Sequence, residues 1–219
     1  MSAVSGVVTG RHFEYLARRT VGDDAFLLDL KKAASAAGIP AIWIAPEQAS
    51  FLQILLMLAR AREVVEVGTL AGYAAIRMAR ALPAGGRVRT FEISRKHAEF
   101  AHEWAGRSDV ATRVEVILGN ALEELPKIAA SSVDAAFIDA DKSSYPRYLK
   151  ECERILKPGG LLTVDNAFAF GQLFDEPPTD REVPAVRAFN DLLAKSTTFQ
   201  SVIVPLGDGC WVGVKRASA

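Results

Sequence analysis

The segment Glu63-Val64-Val65-Glu66-Val67-Gly68-Thr69-Leu70-Ala71-Gly72-Tyr73 decides the fold of this chain. Its first five residues are rich in valine and predict a short buried strand, and a helical pattern begins at Tyr73. Gly68 and Gly72 allow the backbone between these two elements to turn tightly and to approach a ligand closely. The segment therefore predicts a strand–turn–helix unit of the kind that builds α/β proteins.

Strand-like and helix-like runs alternate along the rest of the chain. Further short runs rich in Val, Ile and Phe predict strands at residues 87–92, 113–118, 133–139 and 160–165. Helical patterns lie between them at residues 73–82, 95–105, 121–129 and 145–156, and the last is ended by the turn Lys157-Pro158-Gly159-Gly160. This alternation predicts βαβ units and a mostly parallel, doubly wound sheet of the Rossmann type, with helices on both faces.

The two ends of the chain depart from this alternation. A helix near residues 182–194 precedes a predicted hairpin, 199–205 and 210–215, joined by Leu206-Gly207-Asp208-Gly209. The hairpin makes seven strands in all and gives the parallel sheet an antiparallel ending. Helical patterns at residues 13–19, 23–37 and 48–58 predict a helical N-terminal extension over residues 1–60, followed by one domain over 61–219. The extension could cap the ligand edge of the sheet or contact a second subunit.

Composition narrows the function. The 219 residues contain 26 Lys plus Arg and 26 Asp plus Glu, so no net field attracts nucleic acid or an anionic membrane. Cys152 and Cys210 have no zinc or CxxC spacing, which suits a reducing compartment. Arg11, His12 and Glu14 interrupt any apolar core of a signal peptide, and no apolar run is long enough to cross a bilayer. We expect a cytoplasmic protein.

The glycine loop favours a nucleoside without a pyrophosphate. Its spacing is G-x-x-x-G, whereas dinucleotide-binding proteins use G-x-G-x-x-G. Glu66 places a charge beside the loop that would suit a cationic part of the ligand, such as an amino group. Glu92, at the end of the next strand, is positioned to accept hydrogen bonds from two ribose hydroxyls. Taken alone, Gly68 and Gly72 could also form a tight turn that binds nothing.

Acidic residues crowd the ends of the fourth and fifth predicted strands. Asp139 and Lys142 follow the fourth, and Asp165 and Asn166 follow the fifth. A helix cap with a salt bridge would explain Asp139 and Lys142. It would not explain Asp165 and Asn166 at the end of the neighbouring strand. Three hard oxygen donors suit Mg²⁺, Mn²⁺ or Ca²⁺ and not zinc. The cation would lower the pKa of a bound hydroxyl, and Lys142 could take the proton. Together with the nucleoside site, this set predicts methyl transfer from S-adenosylmethionine.

Five stretches resemble the cation-dependent O-methyltransferases, the relatives of caffeoyl-CoA and catechol O-methyltransferases. They lie within residues 40–216 and are 46–52, 66–73, 137–145, 156–160 and 164–166. The resemblance implies a homodimer that methylates one hydroxyl of a vicinal diol on an aromatic ring, with Mg²⁺, or else Mn²⁺ or Ca²⁺, as cofactor. The loop Phe168-Ala169-Phe170-Gly171 replaces a stretch that is often Trp-Ser-Gly in the family, and it is expected to line the acceptor pocket.

The resemblance also implies a role for each site residue. Asp139, Asp165 and Asn166 correspond to the metal ligands, and Lys142, with Asp139, to the catalytic residues. The cofactor contacts fall on the glycine loop, on later strand ends and on one helix start: Glu66, Gly68, Thr69, Gly72, Tyr73, Ala74, Glu92, Ala121 and Asp139.

Three other functions remain open. A nicotinamide-dependent oxidoreductase could use the same kind of sheet, but the chain has no G-x-G-x-x-G, and Tyr145 is followed four residues later by Leu149, not Lys. A nucleoside-binding protein could retain the fold without chemistry. Nucleic-acid methylation is disfavoured by the neutral charge and by the absence of an Asn/Asp-Pro-Pro-Tyr motif after the fourth strand.

Overall fold

A seven-stranded sheet forms the centre of the computed structural model, which describes residues 9–217. The strands are β1 Glu63–Val67, β2 Arg87–Glu92, β3 Val114–Leu118, β4 Val133–Ile138, β5 Leu156–Val164, β6 Phe199–Val204 and β7 Cys210–Lys215. Their spatial order is β3-β2-β1-β4-β5-β7-β6. Strands β1 to β5 pair in parallel, and β7 pairs antiparallel with both β5 and β6. The predicted doubly wound sheet with a terminal hairpin is confirmed.

Helices cover both faces of this sheet. They are α1 Gly10–Ala17, α2 Ala25–Ala36, α3 Pro46–Leu58, α4 Tyr73–Arg80, α5 Arg95–Arg107, α6 Ala121–Glu124, α7 Tyr145–Ile155 and α8 Val183–Ala194. Within residues 9–217, no helix is both long and apolar enough to span a membrane.

Alternate residues of the central strands enter two separate cores. Val64 and Phe137 belong to the core beneath α2 to α5, whereas Val65 and Ile138 belong to the core beneath α6 to α8. This alternation follows from the two-residue period of a strand. It explains why β4 is a nearly continuous apolar run, because both of its faces are buried.

The strand order reverses between β1 and β4. From β1 the chain winds outward through β2 and β3, and it then returns to place β4 on the other side of β1. Ligands of doubly wound sheets bind outside the carboxyl ends of the strands at such a reversal. Here the reversal brings the loop after Val67 next to the loop after Ile138, and the N–H of Asp139 donates to the carbonyl oxygen of Val67 at 2.9 Å.

Two predicted elements have a boundary that lies four or more residues from the observed one. The helix predicted for residues 121–129 stops at Glu124 and continues as a 3-10 turn, Leu125–Lys127, because Pro126 cannot donate the next helical hydrogen bond. The turn predicted at 157–160 lies within β5, which begins at Leu156. There the pairing register with β4 shifts between Val133 and Ala135, and the extra residues form a bulge.

The N-terminal extension packs against the α4 side of the sheet. Leu27, Leu30 and Leu52 are buried in the same core as Val64. A charged cluster adds to this contact, and Asp23 lies at its centre, at the start of the extension's second helix. Its carboxylate accepts hydrogen bonds from Lys31 Nζ at 2.6 Å, the Tyr73 hydroxyl at 2.7 Å and Arg77 Nη1 at 3.0 Å. The extension is thereby fixed to the helix that follows the glycine loop.

Candidate active site

Gly68 forms the closest contact between the loops after β1 and β4. Its φ is 98°, in the region that favours glycine, and a Cβ atom at this position would overlap the carbonyl oxygen of Asp139. Gly72 has a φ of 82°, caps the start of α4 and contacts Ala101 of α5. Glycine is therefore required at both positions of the predicted G-x-x-x-G, for close approach at Gly68 and for helix packing at Gly72.

The carboxylate of Glu92 holds the glycine loop in place. Its Oε2 accepts from the N–H of Leu70 at 2.8 Å, and its Oε1 accepts from the N–H of Ser94 at 2.9 Å. Thr69 adds a second link between the two strand ends, because its hydroxyl lies 2.6 Å from that of Thr90. Each carboxylate oxygen can accept a further hydrogen bond. Glu92 can therefore shape the loop and still accept from a ligand.

Glu66 is fully buried on the α4 side of the sheet. Neither of its carboxylate oxygens has a hydrogen-bond partner within residues 9–217. Burial raises its pKa to about 8, the nearby Thr90 hydroxyl opposes that rise, and the charges of Asp139 and Glu92 add to it. A buried carboxylate without a partner is costly. Its placement here indicates a cationic ligand group that would complete it.

A small chamber of about 20 Å³ adjoins Glu66. Gly68, Thr69, Tyr73 and Ala74 line it, together with Trp43 and Ile44 of the extension. The hydroxyl of Tyr73 is directed to Asp23, so this predicted cofactor residue offers the chamber its ring. Gly72, also a predicted cofactor residue, lines neither this chamber nor the larger cavity described next.

The larger cavity has a volume of about 560 Å³ and opens at the carboxyl ends of β1 to β5. Of the predicted residues, Gly68, Glu92, Ala121, Asp139, Lys142 and Asn166 line it. Ile93, His97, Asn120 and Leu122 also line it, and sequence reasoning did not identify them. Their one signal is their position directly after β2 and β3. Cavities of this size hold small ligands in proteins.

Lys142 is buried, with 5% of its surface exposed, and it lies next to Asp139. Its Nζ donates to Asp139 Oδ1 at 3.1 Å and to the Tyr145 hydroxyl oxygen at 2.7 Å. The Tyr145 hydroxyl in turn donates to the backbone oxygen of Asp165 at 3.4 Å. Burial, followed by the charges of Asp139 and Asp165, raises the pKa of Tyr145 well above its usual value, so it stays a neutral partner.

Asp165 and Asn166 follow β5, directly beside Asp139. Asp165 is buried, and its Oδ1 accepts from Gln48 Nε2 at 2.6 Å. Burial and the nearby charge of Asp139 raise the pKa of the Asp165 carboxyl. Asn166 has a φ of 63° and lines the large cavity, and its Nδ2 donates to Asp208 Oδ2 at 3.1 Å. The carboxyl group of Asp165 thus lies close enough to Asp139 to feel its charge, and the Asn166 amide follows it in sequence.

No group of three or more His, Cys, Asp or Glu side chains among residues 9–217 is arranged to hold a metal ion. The predicted ligand set has a different composition, because it contains two carboxylates and one asparagine amide. Neither zinc-like clusters nor all-carboxylate sites therefore compete with it in the part of the chain that is described.

Comparison with known proteins identifies the class. A protein-family model described as O-methyltransferase matches residues 18–216. A catechol O-methyltransferase of Niastella koreensis is 39% identical over 197 residues, which cover 89% of this chain and 86% of that protein. A catechol O-methyltransferase of Mycobacterium tuberculosis is 36% identical over 203 residues, 93% of this chain and 92% of that protein. The crystal structure of an O-methyltransferase from Bacillus cereus in complex with SAH superposes with a TM-score of 0.84 at 33% identity, covering 93% and 96% of the two chains.

The sheet order and the loops at its carboxyl edge are those of a class I methyltransferase. Within that class, the chain belongs to the O-methyltransferase family. It is an S-adenosylmethionine-dependent enzyme, as the predicted resemblance implied, and the oxidoreductase alternative gains no support.

Proposed function

We propose that this enzyme is a divalent-cation-dependent O-methyltransferase that transfers the methyl group of S-adenosylmethionine to one hydroxyl of a catechol-type small molecule. One observation carries the proposal. A single cavity of about 560 Å³ is lined both by Glu92 and Ala121 and by Asp139, Lys142 and Asn166. Groups suited to a nucleoside and groups suited to an activated hydroxyl therefore share one space, which group transfer requires.

The cofactor would occupy the large cavity and the chamber beside Glu66. The unpartnered Glu66 carboxylate would receive the ammonium group of the methionine part, which offsets the cost of burying a charge. The Glu92 oxygens would accept from the ribose hydroxyls. Ala121, with Ile93 and Leu122, offers an apolar surface for the base. Of the remaining predicted contacts, the chamber is lined by Gly68, Thr69, Tyr73, Ala74 and Asp139, whereas Gly72 would support the loop without lining it.

Asp139, Asp165 and Asn166 would hold the cation. The set fits a hard ion such as Mg²⁺, Mn²⁺ or Ca²⁺, because all three donors are oxygens and the charge of Asp139 raises the pKa of the buried Asp165 carboxyl. When bound, a divalent cation supplies Lewis-acid chemistry that lowers the pKa of a coordinated hydroxyl.

Lys142 would take the proton of the acceptor hydroxyl. Two of the three bonding directions of its Nζ are used by Asp139 and Tyr145, which leaves one for the acceptor. After proton transfer, the same two oxygens would stabilise the ammonium form. The deprotonated hydroxyl would then attack the sulfonium methyl in line, and the sulfur would leave with its bonding electrons as the neutral thioether.

A catechol-type acceptor is proposed because two curated relatives are named catechol O-methyltransferases. Two adjacent hydroxyls could approach the cation and Lys142 together. Phe170 lies near this point, with its ring centre 5.9 Å from Lys142 Nζ, and provides an aromatic wall. An acceptor with a single hydroxyl would lose one of these contacts.

A methyl-transfer assay tests the proposal. Purified full-length enzyme and labelled S-adenosylmethionine are incubated with catechols and with phenols that lack the second hydroxyl, with and without EDTA, followed by readdition of Mg²⁺. We expect turnover of the adjacent diols alone, loss of turnover in EDTA and recovery with Mg²⁺. Full turnover in EDTA would contradict the cation. Cofactor binding without turnover of any phenol would favour a nucleoside-binding protein of the same fold.

We further propose a cytoplasmic homodimer in which the N-terminal extension acts as a cap through its described residues, 9–60; the first eight residues of the predicted extension lie outside the described part of the chain. Trp43 and Ile44 of the extension line the chamber beside Glu66, which supports a capping role.

Exposed apolar side chains on α1 and α3, among them Tyr15, Met57 and Leu58, support contact with a second copy. The cysteines are unpaired, as in a reducing compartment. Light scattering of the eluted protein would give its mass, and a monomer at all concentrations would contradict the dimer.

A further inference from the structure

Asp208 lies in the turn between β6 and β7, and its carboxylate accepts three hydrogen bonds from the loop after β5. Oδ2 accepts from Asn166 Nδ2 at 3.1 Å and from the N–H of Phe170 at 2.7 Å. Oδ1 accepts from the N–H of Gly171 at 3.1 Å. Hydrogen bonds to an anion are stronger than those between neutral groups. One carboxylate thus fixes both the start and the end of this loop.

The backbone of the same turn adds two more contacts. The N–H of Ala167 donates to the Gly209 carbonyl oxygen at 2.8 Å, and the N–H of Phe168 donates to that of Asp208 at 2.8 Å. The loop needs such support, because three of its non-glycine residues have positive φ angles. These are Asn166 at 63°, Ala169 at 54° and Phe170 at 60°. Such conformations persist only where the surroundings enforce them.

This contact selects one orientation of the Asn166 amide. Rotation about the last side-chain bond would exchange Oδ1 and Nδ2, and only the oxygen can bind a cation. An ionised carboxylate accepts hydrogen bonds and cannot donate, so Asp208 attracts Nδ2. We propose that Asp208 is a positioning residue that holds the Asn166 amide with Oδ1 presented to the cation. This inference rests on the proposed cation site.

The same turn also contacts the group that holds the second proposed ligand. Gln48 donates to Asp165 Oδ1, and Gly207 lies directly against the Gln48 amide. The φ of Gly207 is 59°, and a Cβ atom there would overlap Gln48 Oε1. Asp208 and Gly207 are neighbours in sequence. One short turn therefore contacts the proposed ligand Asn166 directly and contacts Asp165 through Gln48.

The first test is Asp208→Asn in the full-length protein, with Mn²⁺ as the probe. The new amide can accept at one atom only, so the Asn166 amide loses its fixed orientation. Replacing a residue that hydrogen-bonds to a metal ligand typically lowers metal affinity by about 10- to 100-fold. We expect Mn²⁺ affinity, measured by electron paramagnetic resonance of the free ion, to fall by at least about tenfold. SAH affinity, measured by calorimetry, should change less than about twofold.

Asn190→Ala is the matched control. Asn190 Nδ2 donates to the carbonyl oxygen of Ala167 at 2.8 Å, so this residue also supports the loop after β5. Within residues 9–217, the side-chain hydrogen bonds of Asn190 join it to Ala167 and Trp211 and not to the Asn166 side chain. We expect its replacement to lower stability and to leave Mn²⁺ affinity nearly unchanged. An equal loss of Mn²⁺ affinity in both variants would show that loop support alone matters, and it would overturn the inference.

The background Asn166→Asp gives the sharpest test. This change replaces the amide with a carboxylate, whose two oxygens are equivalent and need no orienting partner. In that background Asp208 has no amide to orient, so adding Asp208→Asn should lower Mn²⁺ affinity much less than it does in the wild type, by the effect of one lost negative charge alone. An equal loss of affinity in both backgrounds would overturn a positioning role.

Two further outcomes are decisive. If wild-type protein binds no Mn²⁺, both the cation proposal and this inference fail. If the wild type binds Mn²⁺ and Asp208→Asn binds it equally well, only the inference fails. Should Asp208→Asn not fold, NMR of the wild type replaces it. The Asn166 NH₂ signals, assigned by their loss in Asn166→Asp, should be protected from solvent exchange with and without Mg²⁺, and rapid exchange would contradict the contact.

Discussion

The side-chain amide of Gln48 donates a 2.6 Å hydrogen bond to Asp165 Oδ1 across 117 residues of sequence. Both groups are buried, so this bond is shielded from water and joins α3 to the end of β5. Gln48 is thus the one side chain of the N-terminal extension that hydrogen-bonds to the side chain of a proposed cation ligand in the described part of the chain. It couples the position of the extension to the chemistry at the edge of the sheet.

Gln48→Leu should cost stability and activity together. The replacement fills the space but leaves a buried carboxylate without its donor, and such losses amount to about 1–3 kcal/mol in free energy of unfolding. Urea denaturation and a methyl-transfer assay measure the two effects. Gln53→Leu is the matched control on the same helix, because Gln53 bonds Arg77 and not the site. Gln53→Leu should lower the free energy of unfolding and leave the methyl-transfer activity unchanged. Equal activity loss in both variants would contradict a direct role for Gln48.

Glu66→Gln should stabilise the cofactor-free protein at neutral pH. The pKa of Glu66 is about 8 in the folded protein and near 4.5 ordinarily, so the folded state binds the extra proton between these values. The proton that Glu66 retains in the folded state contributes fully to the free energy of unfolding below about pH 4.5. This contribution is lost as the pH rises to about 8, by up to about 1.4 kcal/mol per pH unit. Denaturation at pH 5.5, 6.5 and 7.5 should show a shallower decline in Glu66→Gln than in the wild type. Identical slopes of the free energy of unfolding against pH in the two proteins would contradict a raised pKa of Glu66.

Glu92→Ala should weaken cofactor binding by about 1.5–3 kcal/mol, the value of hydrogen bonds to a charged group. It should weaken SAH and methylthioadenosine alike, because both carry the ribose. Glu66→Gln should weaken SAH alone, because methylthioadenosine has no amino group. Calorimetry with both ligands and both variants measures the pattern. If Glu66→Gln lowered the affinity for methylthioadenosine as much as the affinity for SAH, the amino acid part of the cofactor would bind away from Glu66.

Lys142→Met should lower the rate of the chemical step by about 10²- to 10⁴-fold, the usual contribution of a general base. SAH affinity should stay close to that of the wild type, because Lys142 contacts Asp139 and Tyr145, not the ribose groups. Single-turnover kinetics separate the chemical step from binding. Lys157→Met is the control, since Lys157 pairs with Asp134 at the opposite end of β4. Slow turnover in the control would indicate a general loss of folding.

The fold could be predicted largely from local patterns. The bounds of β1 and β2 agree with the prediction, because β1 runs into the glycine loop and β2 is followed closely by Ser94, the N-cap of α5. Pro126 and the bulge in β5 were missed where one residue or one register shift overrides a regular pattern. Residues after strand ends could be predicted as a group, because a parallel sheet gathers its loops at one edge.

Supporting residues could not be predicted in the same way. Gln48 lies within a helix whose pattern is apolar, and Asp208 lies in a turn where aspartate is common for local reasons. Their partners are far away in sequence, so no spacing or periodicity marks them. The Glu66 carboxylate could be expected near a ligand from its strand end, but its lack of any partner emerges only from the packing around it.

The contact between Gly68 and the Asp139 carbonyl has a mechanical consequence. It leaves no room for even one methyl group between the segment that would carry the donor and the segment that would carry the acceptor. Any side chain at position 68 would therefore force the two segments apart, and it would widen the gap across which a carbon atom would travel.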